Sequence, residues 1–134
     1  MACAYISGIV HAKVLLVVQH PAVGAGLEML LHLEGRFDVT RVASIDDADR
    51  IVAIWEPDVA LVDGMLLRER ERAPLGVPCL VLSGSDLDGE GLARTLDDAR
   101  GWLRKDPTPR ELVAAIDGVR AEPNGGFLAF RSAV

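Results

Sequence analysis

One short run limits what this chain can fold into more than any other. Asp58-Val59-Ala60-Leu61-Val62-Asp63-Gly64 places an acid and a glycine directly after an unbroken apolar stretch that follows Pro57. A run this short, apolar at every position and closed by turn residues, predicts a strand buried on both faces, as in a parallel sheet. Open α/β sheets collect their ligands at the carboxyl ends of such strands, which is where the Asp63 carboxylate falls. Two further strand ends carry reactive groups: Ser83 after Val77-Pro78-Cys79-Leu80-Val81-Leu82, and Lys105 after Trp102-Leu103-Arg104. Acid, hydroxyl and ammonium at three successive strand ends are the parts of an aspartyl-phosphate site.

The rest of the chain alternates strand and helix around that run. Lys13–Val18 predicts the first strand, His20-Pro21 a turn, and Ala22–Glu34 a helix with Val23, Leu27, Leu30, Leu31 and Leu33 as its stripe and Gly35 as its stop. Phe37–Val42 alternates as an edge strand does. Ser44 or Asp46 caps a helix reaching Trp55, with Ala48, Ile51, Val52 and Trp55 inward. The third unit is short, and its Arg68-Glu69-Arg70-Glu71-Arg72 run gives a helix little apolar face to bury. After the fourth strand, Val77–Leu82, Asp86 can cap a helix carrying Leu87, Leu92 and Leu96, weakened by Gly89 and Gly91. Gly101–Arg104 is the fifth strand. Pro107-Thr108-Pro109 opens a last helix, with Leu112, Val113, Ile116 and Val119 inward, that Pro123-Asn124-Gly125-Gly126 ends. This order specifies a doubly wound parallel sheet.

Composition excludes several classes. At 134 residues the chain is one domain able to bury a core unaided, with residues 1–12 as an N-terminal extension and 122–134 as a C-terminal tail. A net charge of -6 speaks against non-specific nucleic-acid binding, which needs a basic face. The apolar residues 2–12 lack a basic leader and are too short to span a bilayer. Cys3 and Cys79 have no Cys or His at metal-ligand spacing, and Cys79 reads as a small buried hydrophobe. The expected compartment is the cytoplasm. Gly24-Ala25-Gly26 has Met29 where a dinucleotide fingerprint needs its third glycine, no Walker loop is present, and Gly84-Ser85 is not a nucleophile elbow.

Across residues 13–121 the sequence resembles a receiver domain of bacterial two-component response regulators. Val14-Leu15-Leu16-Val17 with His20-Pro21 is similar to that family's first strand and turn. Pro57 to Asp63 resembles its phosphorylated-aspartate strand, Val81-Leu82-Ser83-Gly84 its switch Ser/Thr strand, and Gly101-Trp102-Leu103-Arg104-Lys105-Asp106 the strand with its switch aromatic and lysine. The step of 22 residues from Ser83 to Lys105 adds specificity. The resemblance implies a flavodoxin-like sheet of order 2-1-3-4-5, Asp63 as phospho-acceptor, and Ser83, Trp102 and Lys105 as switch and phosphate-contact residues.

The chain also departs from that family. Its acidic pair, which helps hold Mg²⁺, falls here on Val18 and Gln19, so Asp63 is the only expected acidic ligand and Mg²⁺ binding is expected to be weak or absent. The stretch after Asp63 lacks the family's Met-Pro-Gly turn. Plainer roles exist for each residue: Asp63 as a cap, Ser83 as a turn residue, Trp102 as packing, His20 as a turn, Lys105 as a salt-bridge partner of Asp63. Lys105 stands out, because Lys13 is the only other lysine beside twelve arginines. The expectation is an atypical, non-enzymatic receiver standing alone without a DNA-binding domain. It would signal through a protein partner or sensor kinase, or by dimerising on the face of the fourth helix, fifth strand and last helix. The alternatives are a working phospho-acceptor and a small-ligand sensor using an acidic pocket made more apolar by Val18.

Overall fold

The computed structural model describes residues 11–67, 75–84, 91, 93 and 98–122. Strand β1 (Ala12–Val17) leads into helix α1 (Pro21–Glu34), strand β2 (Phe37–Val42) into helix α2 (Ile45–Trp55), and strand β3 (Val59–Asp63) into the short helix α3 (Gly64–Leu67). Strands β4 (Cys79–Ser83) and β5 (Ala99–Arg104) follow, and helix α4 (Pro109–Ala121) closes the described chain. The strands form one sheet of order β2-β1-β3-β4-β5, parallel throughout, with β1 paired to β2 and β3. This is the flavodoxin-like order. Among the described residues no helix is long and apolar enough to cross a membrane.

Strand pleating divides the core into two layers. Successive side chains point to opposite faces. Val14, Leu16 and Leu61 therefore pack with Leu27 and Leu31 of α1 and Leu112, Ile116 and Val119 of α4. Leu15, Val17, Ala60, Val62 and Val81 pack the other way, beside Ala48, Ile51 and Val52 of α2. Every residue of β3 and β4 is buried. At about 25 cal/mol per Å², each such leucine or valine contributes roughly 1.5–3 kcal/mol of burial free energy, offset largely by chain ordering.

The helices start and stop where local chemistry dictates. Ser44 rather than Asp46 caps α2, its hydroxyl accepting from the Asp47 N–H at 3.1 Å. A capping box opens α4: the Thr108 hydroxyl accepts from the Glu111 N–H at 3.1 Å, and the Glu111 carboxylate from the Thr108 N–H at 3.0 Å. Gly35 ends α1 with φ 73°, the left-handed value that glycine adopts without strain. At Gly24 the Arg41 side chain lies across the helix to reach Glu28 at 3.1 Å, and a Cβ there would displace its Cδ, 2.7 Å away.

Several boundaries differ from the sequence expectation. Ala12, placed in the extension, is a buried first residue of β1, and β1 ends at Val17. Backbone pairing nevertheless continues one residue further, with the Val18 N–H donating to the Val42 carbonyl at 3.0 Å. Strand β5 begins at Ala99, not Gly101, because Cys79 already pairs with Ala99. Leu33 is 77% exposed and leaves the apolar stripe, since it lies about 200° around the helix from buried Leu31. The helix expected around Asp86, Leu87, Leu92 and Leu96, the charged run at residues 68–72, Cys3, and the ends of the chain lie outside the described residues.

Candidate functional site

Three strand ends and one turn meet at the carboxyl edge of the sheet. Asp63 is the last residue of β3 and is 3% exposed. Its Oδ1 accepts from the Met65 N–H at 3.0 Å and lies 3.0 Å from the Lys105 ammonium. The first contact is a turn bond of the kind Asp forms two residues along its own chain, and it fixes the carboxylate over the start of α3. The second is an ion pair between a nearly buried carboxylate and a partly exposed lysine. Such a pair gains little net stability, because desolvation offsets the attraction, yet loss of one partner strands the other charge.

Lys105 is set by its backbone as well as by its charge. Its N–H donates to the Ser83 carbonyl at 2.9 Å, so the loop leaving β5 is tied to the end of β4. Ser83 is itself buried, and Leu82 pairs with Asp63 across the β3–β4 ladder. The Ser83 backbone thus holds Lys105, which meets Asp63, whereas the Ser83 side chain is not part of the cavity lining described below. Arg104 turns away to Asp106 at 3.7 Å.

Trp102 lies apart from them. It pairs with Val81, is 3% exposed, and packs in the layer that also holds Val62 and Leu67. Its indole Nε1 is buried without a hydrogen-bond partner among the described residues.

The two degenerate positions separate as well. Gln19 is exposed and lines a cavity of about 290 Å³ with His20, Pro21, Val23, Asp63, Met65 and Lys105. Val18 does not line it. This residue is 2% exposed and packs among Val14, Leu16 and Leu103, so a pocket made more apolar by Val18 is not what forms. The cause is strand phase: even-numbered residues at this end of β1 face the α1 and α4 layer. His20 and Met65 line the cavity although the sequence reading gave neither a role there. For His20 the sequence gave only the turn, since whether that turn walls the cavity depends on where α1 starts relative to β3. Among the described residues no group of three or more His, Cys, Asp or Glu side chains is placed to hold a metal ion.

A second, mostly apolar groove of about 330 Å³ adjoins the cavity, sharing Val23 and Lys105 and running along Gly26, Leu27 and Leu30 of α1 to Asp106 and Pro107. Cys79, at the opposite end of β4, is fully buried, with its thiol directed to the Val77 carbonyl at 3.1 Å. Burial, helped by the charge of Asp98, pushes that thiol far above its ordinary range.

No protein-family model matches the sequence, and no curated protein matches it either. Solved structures do. The chain is similar to the signal receiver domain of NarL from Mycobacterium tuberculosis, with a TM-score of 0.68 at 22% identity, covering 84% of this chain and 98% of that one. It is similar to the receiver domain of the sensor histidine kinase PA1611 from Pseudomonas aeruginosa, with a TM-score of 0.67 at 23% identity over 84% and 99% of the two chains. That structure has a magnesium ion coordinated in its active-site cleft. A response regulator receiver domain protein from Clostridium thermocellum gives 0.65 at 23% over 84% and 96%. At these identities the likeness is one of fold, and the chain has the fold of a response-regulator receiver domain.

Proposed function

We propose that this chain is a receiver-type protein–protein signalling module of the two-component kind that works without phosphorylation. The observation that carries this reading is the closed Asp63–Lys105 pair at 3.0 Å in a site with no second carboxylate after β1. Magnesium demands near-octahedral oxygen ligands and is usually held through one or two carboxylates plus substrate phosphate. Among the described residues Asp63 is the only acidic side chain lining the cavity, its Oδ1 already accepts two donors, and the position preceding Gln19 is turned into the core. That donor set does not suit a resident Mg²⁺. Phosphoryl transfer needs the charge on the phosphoryl oxygens neutralised, and a single lysine supplies a fraction of it.

Output would then pass through a protein partner or a sensor kinase, or through a homodimer, by way of the face bearing β5 and α4. Asp63, Ser83 and Lys105 would serve as a fixed latch between β3, β4 and the β5–α4 loop rather than as a phosphate cycle, with Trp102 as core packing. The competing reading, a phospho-acceptor fed by a histidine kinase, draws support from one feature: Asp63 still borders an open cavity at the strand ends.

Amide NMR during titration with MgCl₂, and then with beryllofluoride, separates the two. The expected result is no saturable shift at the Asp63, Met65 or Lys105 amides at low-millimolar metal. Saturation there, followed by a further shift with beryllofluoride, would favour the phospho-acceptor.

A further inference from the structure

The cavity beside Asp63 is not filled by the pair that closes it. A carboxylate offers about four acceptor positions, and the Asp63 Oδ1 uses two of them for Met65 and Lys105. Oδ2 makes no hydrogen bond among the described residues, and it is not one of their fully buried unsatisfied side-chain atoms, so it keeps access to the cavity that Asp63 lines. Beside it, the cavity is lined by Gln19 and His20, two exposed side chains that make no hydrogen bond among the described residues and can both accept. Lys105, the one lysine or arginine among the described residues of the lining, is already paired with Oδ1. The site therefore still offers acceptors to a donor that enters the cavity, and a charged donor would draw on the carboxylate.

We propose that the joined cavity and groove bind a small primary alkylammonium ion. The ammonium head would be received by Asp63 Oδ2 and Gln19, and its apolar chain would lie along Val23, Leu27 and Leu30. A primary ammonium brings three donors, which matches a carboxylate oxygen, an amide oxygen and one further acceptor. Lys105 is 31% exposed in its side chain and Asp63 only 5%, so solvent screens the repulsion from the lysine more than the attraction of the carboxylate. Carboxylate ligands are repelled by Asp63, and alcohols bring one uncharged donor. The apolar walls of the adjoining groove favour a carbon chain over a second polar group.

This inference rests on the reading that Mg²⁺ does not occupy the site, and the two can fail separately. Calorimetric titration of the full chain with methyl-, butyl- and hexylammonium chloride should show saturation, with affinity rising about two- to fourfold per added methylene. Asp63→Asn should weaken hexylammonium binding by about tenfold or more, since a charge-assisted bond is lost. If that variant unfolds, exposed Gln19 supplies the test: Gln19→Glu should tighten binding and Gln19→Ala should weaken it. Absence of saturation by hexylammonium, equal binding of hexanol or hexanoate, or indifference to both Gln19 variants would overturn the proposal. Preference for Nα-acetyl-lysine amide over hexylammonium would also overturn it, in favour of a protein lysine as the occupant. A parallel MgCl₂ titration isolates the underlying reading: saturation by the metal would end that reading whatever the amines do.

Discussion

The two lysines of this chain sit at opposite ends of the sheet and meet opposite surroundings. Lys13, at the amino end, donates to the Trp55 carbonyl at 3.1 Å and lies 5.9 Å from the centre of the Trp55 ring. Its own backbone is held by Asp58, whose carboxylate accepts from the Lys13 N–H at 2.8 Å. Lys105, at the carboxyl end, faces a buried carboxylate. The amino end is bound by contacts to backbone and ring, among which a lost charge leaves nothing stranded. At the carboxyl end one charge depends on another. That dependence is what makes the edge a candidate site, and mutation can measure it.

The largest expected effect is at Lys105. Lys105→Ala leaves the Asp63 carboxylate buried and unpaired and should cost about 2 kcal/mol in denaturant unfolding, less than a fully buried pair because the lysine is partly exposed. Adding Asp63→Asn to that variant should recover much of the loss. An additive double mutant would show that the two heads do not act as a unit.

The amino end supplies a pH-dependent contrast through Cys79. Its buried thiol stays protonated in the fold, whereas in the unfolded chain it ionises near its ordinary value of 9.0. The raised native value means this contribution is fully present below that pH and is lost as pH rises beyond it, with a slope approaching about 1.4 kcal/mol per pH unit. Stability curves for the wild type and Cys79→Ala should therefore converge between pH 9 and 10. Parallel curves would contradict the burial assigned to this thiol.

Smaller effects bracket the two ends. Thr108→Ala removes one half of the capping box directly after the Lys105 loop and should cost about 1 kcal/mol. It should not change the Asp63–Lys105 coupling if that loop is held mainly by the bond from Lys105 to the Ser83 carbonyl. Lys13→Met keeps the packing stem and loses one hydrogen bond and one weak ring contact, about 0.5–1 kcal/mol. A cost at Lys13 equal to that at Lys105 would erase the contrast between the ends.

Much of this architecture was legible in the sequence because the strands punctuate themselves. Apolar runs closed by Asp63, Ser83 and Lys105 mark both the parallel sheet and its candidate functional edge, and β2 reads correctly as an edge strand from its alternation alone. What could not be read was phase. Val18 and Gln19 are adjacent, and a strand sends adjacent residues to opposite faces, so only one of the two degenerate positions reaches the cavity. Ends of strands drifted by one or two residues because Ala12 and Ala99 are small and carry no strand signal, yet the ladder extends over them. His20 was legible as a turn residue but not as a wall of the site, since that depends on where α1 starts relative to β3.

The account stands or falls on whether the Asp63 carboxylate still takes a phosphoryl group. Intact-mass spectrometry of the wild type after prolonged treatment with acetyl phosphate and Mg²⁺ addresses this most directly. The expected result is no added mass on the wild type, as for Asp63→Asn treated in parallel. A species heavier by one phosphoryl group, absent from Asp63→Asn, would contradict it.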